Sequence, residues 1–339
     1  MRKQSQLRSG AVRVVAFGGG TGLSTLLRGL KEYVAPHQGR REHPITDLTA
    51  VVTVTDDGGS SGRLRNEYRV LPPGDIRNCM VALSNDEHLL SRLFQYRFPA
   101  GPSLGGHSFG NLFLTALTDV TGDFPEAVRL SSEVLAIRGR IFPSTDQNVT
   151  LQAQLENGCV VTGETKISRS TRRIHRVQLV PRRVRPLPEV LKAIRSADLV
   201  LVGPGSLYTS IIPNLMVRGM VDAIRRSRAA CVYIANLMTQ PGETQGYSVA
   251  DHVRAIYAHT KARIFDWVVV SRLPISRRIL RRYHAQGAEP VRMSLGELQS
   301  MGLGCVTADL LQQDAVVRHD PERLARLLIN EFVAPRNKA

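Results

Sequence analysis

Residues 12–22 read Val-Arg-Val-Val-Ala-Phe-Gly-Gly-Gly-Thr-Gly. The apolar run Val12–Phe17 stops at four glycines in five positions, and helical spacing then extends from Leu23 to Tyr33. Strand, glycine turn and helix form the opening unit of a doubly wound α/β sheet. Glycine adopts positive φ and lets backbone N–H groups approach a phosphate, while the following helix adds the positive end of its dipole. Gly18 and Gly20 fill the first two positions of the dinucleotide fingerprint, but Leu23 stands where its third glycine belongs. No Gly-Lys-Ser/Thr follows, so this is not a P-loop. A tight turn without a ligand is the plainer alternative. Four glycines exceed what a turn needs, which favours a phosphate or nucleotide at Gly18, Gly19, Gly20, Thr21 and Gly22 without specifying NAD.

Outward from that unit the chain keeps alternating. Leu48–Thr55, Asp198–Val202, Ala230–Ala235 and Trp267–Val270 are Val/Ile/Leu-rich runs bounded by helical spacing, the pattern of parallel strands covered on both faces. Two stretches depart from it. Residues 75–137 hold successive helical segments at Ile76–Leu83, His88–Tyr96 and Phe109–Leu117. Residues 140–185 read as short strands at Val149–Leu155, Cys159–Thr162 and Arg176–Val180, with Asn157-Gly158 as a hairpin signal. The predicted fold is α/β, a doubly wound parallel sheet with a helical insertion and an inserted β-rich subdomain. The predicted division is a nucleotide-binding half over 11–137, the insert over 138–187, and a second half over 188–332 that completes a cleft. Val333–Ala339 reads as a frayed tail.

Composition narrows the class. The 339 residues are 42% hydrophobic, too apolar for a disordered chain. No apolar run approaches the ~18 residues that span a bilayer. The basic start (Arg2, Lys3, Arg8) precedes a run too short for a signal-peptide core, so the expectation is a cytoplasmic protein without membrane insertion. Cys79, Cys159, Cys231 and Cys305 form no C-x-x-C pair, which argues against zinc and for small core side chains. The net charge of +16 raises nucleic acid, but aromatic residues are only 5% and do not punctuate the Arg-rich stretches Arg169–Arg185 and Arg277–Arg282. A solvated basic face ranks first, a small anionic ligand second and a polynucleotide third.

Six further stretches carry chemistry. Asp56-Asp57-Gly58-Gly59-Ser60-Ser61-Gly62-Arg63 follows the second strand, at the same sheet edge as the glycine loop. Asp56 and Asp57 can hold Mg²⁺ against a diphosphate or accept a ribose hydroxyl, and Arg63 or Arg65 can meet a phosphate. In Pro72–Asn78, Asp75 reads as an N-cap with Arg77 and Asn78 facing the loop edge. In Gly105–Asn111, His107 is a candidate acid or base beside Asn111, while Ser108 lacks the surroundings of a nucleophile. Gly203-Pro204-Gly205-Ser206 repeats the strand–glycine–helix plan and predicts a second anion site, with Asn214 beyond it as a polar contact. Asn236–Thr244, with Asp251 and His252 after it, reads as a lid or a base-contacting loop, and Arg318 before an Asp320 cap can reach a phosphate.

Together these blocks resemble one family. Gly18–Lys31 (GGGTGLSTLLRGLK), Val54–Arg65 (VTDDGGSSGRLR), Pro72–Asn78 (PPGDIRN), Gly106–Leu114 (GHSFGNLFL), Gly203–Leu215 (GPGSLYTSIIPNL) and Asn236–Thr244 (NLMTQPGET) are similar to the bacterial gluconeogenesis factors. Those belong to the wider 2-phospho-L-lactate transferase-like group. The resemblance covers about residues 12–332 and implies a Rossmann-like core with an inserted subdomain over a deep cleft. It implies a UDP-sugar such as UDP-N-acetylglucosamine as ligand, with Thr21 and its glycines at the diphosphate and Asn214 and Arg318 as further contacts. The implied role is regulatory, linking carbon metabolism in gluconeogenic growth to cell-wall synthesis and cell shape, with protein partners in that synthesis. In the transferase relatives the cleft takes a guanine nucleotide and a deazaflavin with Mg²⁺, and Asp56 and Asp57 occupy the place of their metal- or acceptor-facing acids. A phospho-group transferase is therefore the alternative, and a nucleic-acid-binding protein the third reading. No cofactor is required by the sequence, Mg²⁺ is the one candidate, and a homo-oligomer stays open.

Overall fold

A computed structural model describes residues 12–35, 44–84, 89–99, 101, 103–272, 275–313 and 316–333. The basic start, His88 and the tail beyond Val333 lie outside the described residues. Seven strands form the central sheet: β1 (Val12–Gly18), β2 (Ile45–Val52), β3 (Arg140–Pro143), β7 (Leu199–Val202), β8 (Ala230–Ile234), β9 (Trp267–Ser271) and β10 (Gly304–Ala308). Their order is β10-β9-β8-β7-β1-β2-β3, and every neighbouring pair is parallel. The chain winds one way from β1 through β2 to β3 and the other way from β7 through β10. The strand order therefore reverses between β1 and β7, the place where open α/β sheets open a crevice beyond their carboxyl ends.

The apolar runs account for these strands. Val14, Val15, Ala16 and Phe17, Val51 and Val52, all four residues of β7, and Val232, Tyr233 and Ile234 are buried. Helices cover both faces, as near-continuous hydrophobic strands require. The helix after β1 spans Gly20–Leu30, starting three residues before the expected Leu23 because the glycine turn itself winds into it. Between β2 and β3 the described residues form five helices, at Gly59–Tyr68, Gly74–Leu83, Leu89–Gln95, Phe109–Thr121 and Phe124–Val134. This is the expected helical insertion.

The antiparallel sheet of β4 (Thr150–Leu155), β5 (Val160–Thr162) and β6 (Ile174–Val180) is the β-rich insert, ordered β5-β4-β6. Asn157-Gly158 closes its hairpin with Gly158 at φ 83°. The expected start of the insert at 138 needs correction, because Arg140–Pro143 pairs with β2 in the main sheet. Four residues including an Arg and a Pro carry no readable period. A small hairpin of β11 (Leu311–Gln313) and β12 (Val317–His319) leads to the helix Pro321–Leu328, capped by Asp320 through its 2.9 Å bond from the Arg323 N–H. Cys79 and Cys231 are buried as expected, whereas Cys159 is exposed in the hairpin turn.

Candidate functional site

At the carboxyl end of β1 the chain turns within two residues. Gly20 has φ +54°, where a side chain is strained, and it opens the helix. The neighbouring glycines serve close approach. A β-carbon on Gly19 would lie 2.6 Å from Asp75 Oδ2, and one on Gly22 would lie 2.3 Å from the Pro204 carbonyl oxygen. The two glycine loops thus pack directly on one another at the switch point, with Asp75 against the first. The Gly20 N–H donates to the Asp75 carboxyl, while Thr21 stays exposed at the start of the helix. Asp75 is therefore not the N-cap of its own helix. That position is Pro73, and Asp75 reaches across to the glycine loop. Burial and the neighbouring Asp56 push the Asp75 carboxyl up to about 7.

The loop after β2 divides its acids. Asp56 accepts the Gly58 N–H at 2.9 Å and faces Asp75. Asp57 turns to the insert, where its Oδ1 accepts the Thr165 N–H at 2.8 Å and the Thr165 hydroxyl at 2.7 Å. It thereby pins the short helix Glu164–Ser168. Glu164, the next acid at this edge, takes the Thr55 hydroxyl at 3.3 Å, and burial with Asp75 and Asp56 nearby holds its carboxyl well above the usual range. Glu243 accepts the Ser168 hydroxyl at 3.2 Å, has a second oxygen without a protein partner, and is pushed up to about 7 by burial. Spacing and period mark neither Glu164 nor Glu243. Only the Pro-Gly-Glu-Thr turn around Glu243 hinted at function.

Beside these acids lies a cationic group. Ser60 Oγ is 2.9 Å from His107 Nδ1 and accepts from Asn111 Nδ2 at 3.1 Å. Burial, Arg63 and Arg97 lower the His107 pKa against the opposing charge of Glu67, which favours the neutral ring beside the Ser60 hydroxyl. Arg63 donates to the Gly105 carbonyl and Arg97 to the Gly106 carbonyl, each at 2.6 Å. Arg77 donates to Asn78 Oδ1 at 2.6 Å, and its buried Nε has no partner. The predicted residues Arg63, Arg77, Asn78, His107 and Asn111 are thus brought together, and Ser60 and Arg97 join them. Arg65 goes elsewhere. It is buried and donates to Asn148 Oδ1, the Val149 carbonyl and Thr150 Oγ1, tying its helix to the insert.

The second glycine loop corrects the expectation of a second free anion cradle. The Gly205 N–H donates to Asn236 Oδ1 at 3.0 Å and the Gly205 carbonyl accepts from Asn236 Nδ2 at 2.8 Å. Ser206 Oγ accepts from Gln240 Nε2 at 2.8 Å. A π-helical turn, Leu207–Ile211, follows rather than a long helix with a strong dipole. Asn214 is fully buried, and its amide donates to the carbonyls of Gly18 at 2.8 Å and Ser210 at 2.9 Å, so it braces both loops from behind. Asp251 and Ser248 form a capping box, and His252 bonds the Ser248 carbonyl, which leaves both Asp251 and His252 in helix-start roles. Arg318 is exposed on β12, next to a buried His319 held at the Ala235 backbone beyond β8. The arginines from Arg169 to Arg185 are all exposed.

Among the described residues no group of three or more His, Cys, Asp and Glu could hold a metal ion. Asp56 and Asp75 are nevertheless hard oxygen donors that repel one another, and Mg²⁺ commonly takes one or two carboxylates plus waters and phosphate oxygens. Asp56 and Asp75 face one another while Asp57 turns to the insert, so a Mg²⁺ would be held by Asp56 and Asp75 rather than by Asp56 and Asp57. No helix among the described residues is long and apolar enough to cross a membrane.

The family model for the 2-phospho-L-lactate transferase CofD matches residues 14–311. The gluconeogenesis factor of Bacillus subtilis is 47% identical over 319 residues, 94% of this chain and 97% of its own length. That of Halalkalibacterium halodurans is 46% identical over 317 residues, 93% and 95% of the two chains. A relative from Nostoc sp. is 51% identical over 323 residues, 94% of this chain and 68% of its own. A crystal structure of a Bacillus halodurans protein, described as a member of the UPF0052 family, aligns with TM-score 0.88 at 45% identity, covering 94% of this chain and 99% of that one.

Proposed function

The chain belongs to the 2-phospho-L-lactate transferase family, among its gluconeogenesis factors, and from that premise we propose a cytoplasmic regulator that binds a UDP-sugar such as UDP-N-acetylglucosamine. One observation carries this reading: the two glycine loops meet at the switch point, where an 11-residue helix begins with Thr21 exposed and the carboxyl groups of Asp56, Asp75, Glu164 and Glu243 lie near one another. The helix N-terminus suits the diphosphate. Carboxyl groups suit sugar hydroxyls, which donate to them. The regulatory role joins carbon metabolism to cell-wall synthesis and cell shape, through protein partners that read the ligand state. Calorimetry with UDP-N-acetylglucosamine tests the binding. Heat of binding is expected for the natural chain, with weaker affinity in Thr21→Ala and Arg318→Ala. Absence of heat, or unchanged affinity in both variants, overturns the proposal.

A second reading, a phospho-group transferase, is favoured by the Ser60–His107 contact of 2.9 Å beside the acids. Mg²⁺ held by Asp56 and Asp75 would neutralise phosphate charge there. His107 would move a proton at Nδ1, and Arg63 and Arg77 would orient the anionic group. A mass-spectrometric search for product from a guanylylated phospholactate donor and a deazaflavin, with Mg²⁺, decides it. No product over blank ends that reading.

A further inference from the structure

Two strands beyond the glycine loops, at the carboxyl ends of β8 and β9, a pocket of about 280 Å³ opens. Leu237, Val270, Ile275, Val291 and Leu311 give it apolar walls, and Asn236, Arg272 and Arg292 line it beside them. The Ser271 hydroxyl, which also lines it, is buried without a partner in the protein. A hydroxyl both donates and accepts, so beside aliphatic side chains it can read the polar edge of a flat ring, while a guanidinium can lie on the ring face or meet a phosphate. Small-molecule pockets run from roughly 300 Å³ upward, so this one suits a single ring system with part of its attached group rather than a whole nucleotide-sugar.

Its position matters as much as its lining. From the crevice between β1 and β7 to the gap between β8 and β9 is two strand spacings, about 10 Å at ~4.8 Å each. That is the reach of a ribose with its 5′-phosphates. The pocket is also wired to the crevice. Asn236 lines it and, through its amide, holds both backbone groups of Gly205 in the second glycine loop. The acidic and cationic groups, Asp56, Asp75 and Arg63, lie on the other side of the crevice, toward β2.

We propose that this pocket is the nucleobase subsite of the nucleotide ligand. The ligand then lies across the sheet edge, with its base over β8 and β9, its diphosphate at the crevice, and its distal group toward Asp56 and Asp75. The inference rests on the nucleotide-binding reading above and adds to it the direction of the ligand and the residues that choose the base.

The test uses the full chain and four probes: UDP, GDP, inorganic pyrophosphate, and 5-iodouridine diphosphate for photo-crosslinking. In Val291→Trp, which fills the pocket from a half-buried wall, UDP affinity is expected to fall by about tenfold or more, while pyrophosphate affinity stays at the natural value. Ser271→Ala is expected to lower UDP affinity in the same selective way. The crosslinked peptide from the natural chain is expected to contain residues 270–272 or 290–293. If UDP binds but crosslinks at 56–63 or 105–111, the base assignment fails and nucleotide binding stands. If Val291→Trp leaves UDP affinity unchanged, the assignment fails likewise. If the natural chain binds neither UDP nor GDP, the nucleotide reading itself falls.

Discussion

Asn214 offers the sharpest test of how the site is built. The resemblance assigns it to the ligand, whereas in the structure its amide joins Gly18 and Ser210, 196 and 4 residues away in sequence. Asn214→Ala removes two buried hydrogen bonds and opens a small void, although the Gly18 carbonyl keeps the Thr53 N–H at 3.1 Å. Each lost bond costs up to about 1.5 kcal/mol and the void about 1 kcal/mol more, while the unpartnered Asn214 Oδ1 returns part of this on removal. A net loss of ~3 kcal/mol is the central expectation. Unfolding entropy of ~2.1 cal/mol/K per residue over the chain gives roughly 0.7 kcal/mol/K, so the melting temperature should fall by about 4 °C. Scanning calorimetry without ligand measures it, with Arg318→Ala as the exposed control that should not move. A melting temperature for Asn214→Ala within about 1 °C of the natural protein would refute the bracing role, because a pure ligand contact costs nothing in the free protein.

Gly22→Ala drives a methyl to 2.3 Å from the Pro204 oxygen, which is backbone and cannot swing away. The loops must part, at about 1–3 kcal/mol, with UDP-sugar affinity falling alongside stability. An Ala variant with unchanged affinity by calorimetry would show that loop contact is irrelevant to binding. Glu243 sits at about 7 in the folded chain against 4.5 for a free side chain. A raised acid contributes its full stability below the unfolded value and loses it as pH climbs toward the folded one. Glu243→Gln, which keeps an acceptor for Ser168, should therefore out-melt the natural protein above pH 7 and lose that advantage below pH 4. Equal melting curves across that range would contradict this. Arg63→Gln removes one of two arginine charges lowering His107, so its NMR titration midpoint should rise toward 6.5; a midpoint that does not move refutes the coupling.

The strands of the central sheet were readable because a buried parallel strand needs unbroken Val, Ile and Leu, and β1, β2, β7, β8 and β9 supply them. β3 and β10 were not, since Arg140–Pro143 is short, polar at one end and stabilised by β2 alone, and Gly304–Ala308 is an only half-buried edge strand paired with β9. The first glycine loop was visible for a reason that proved partly different: Gly19 and Gly22 accommodate Asp75 and Pro204 as much as any phosphate. The motif residues Arg63, Arg77, Asn78, His107 and Asn111 were legible as polar groups at helix starts. Arg97 and Ser60 were not, because nothing local marks an exposed arginine or a helix-start serine as turned to the same histidine.

The sequence by itself determined the α/β class, the hairpin insert, the family and the stretches that line the sheet edge. These rest on periodicity and on turn residues, which act over a few neighbouring positions. Only the tertiary structure decided that Asp57 and Arg65 hold the insert, that Asn236 occupies the second glycine loop, and that Asp75 reaches across to the first. Each of those is a hydrogen bond or close contact between residues 31 to 108 positions apart. Such pairs leave no period in the chain, because folding chooses them by which polar groups must be satisfied once the loops are brought together.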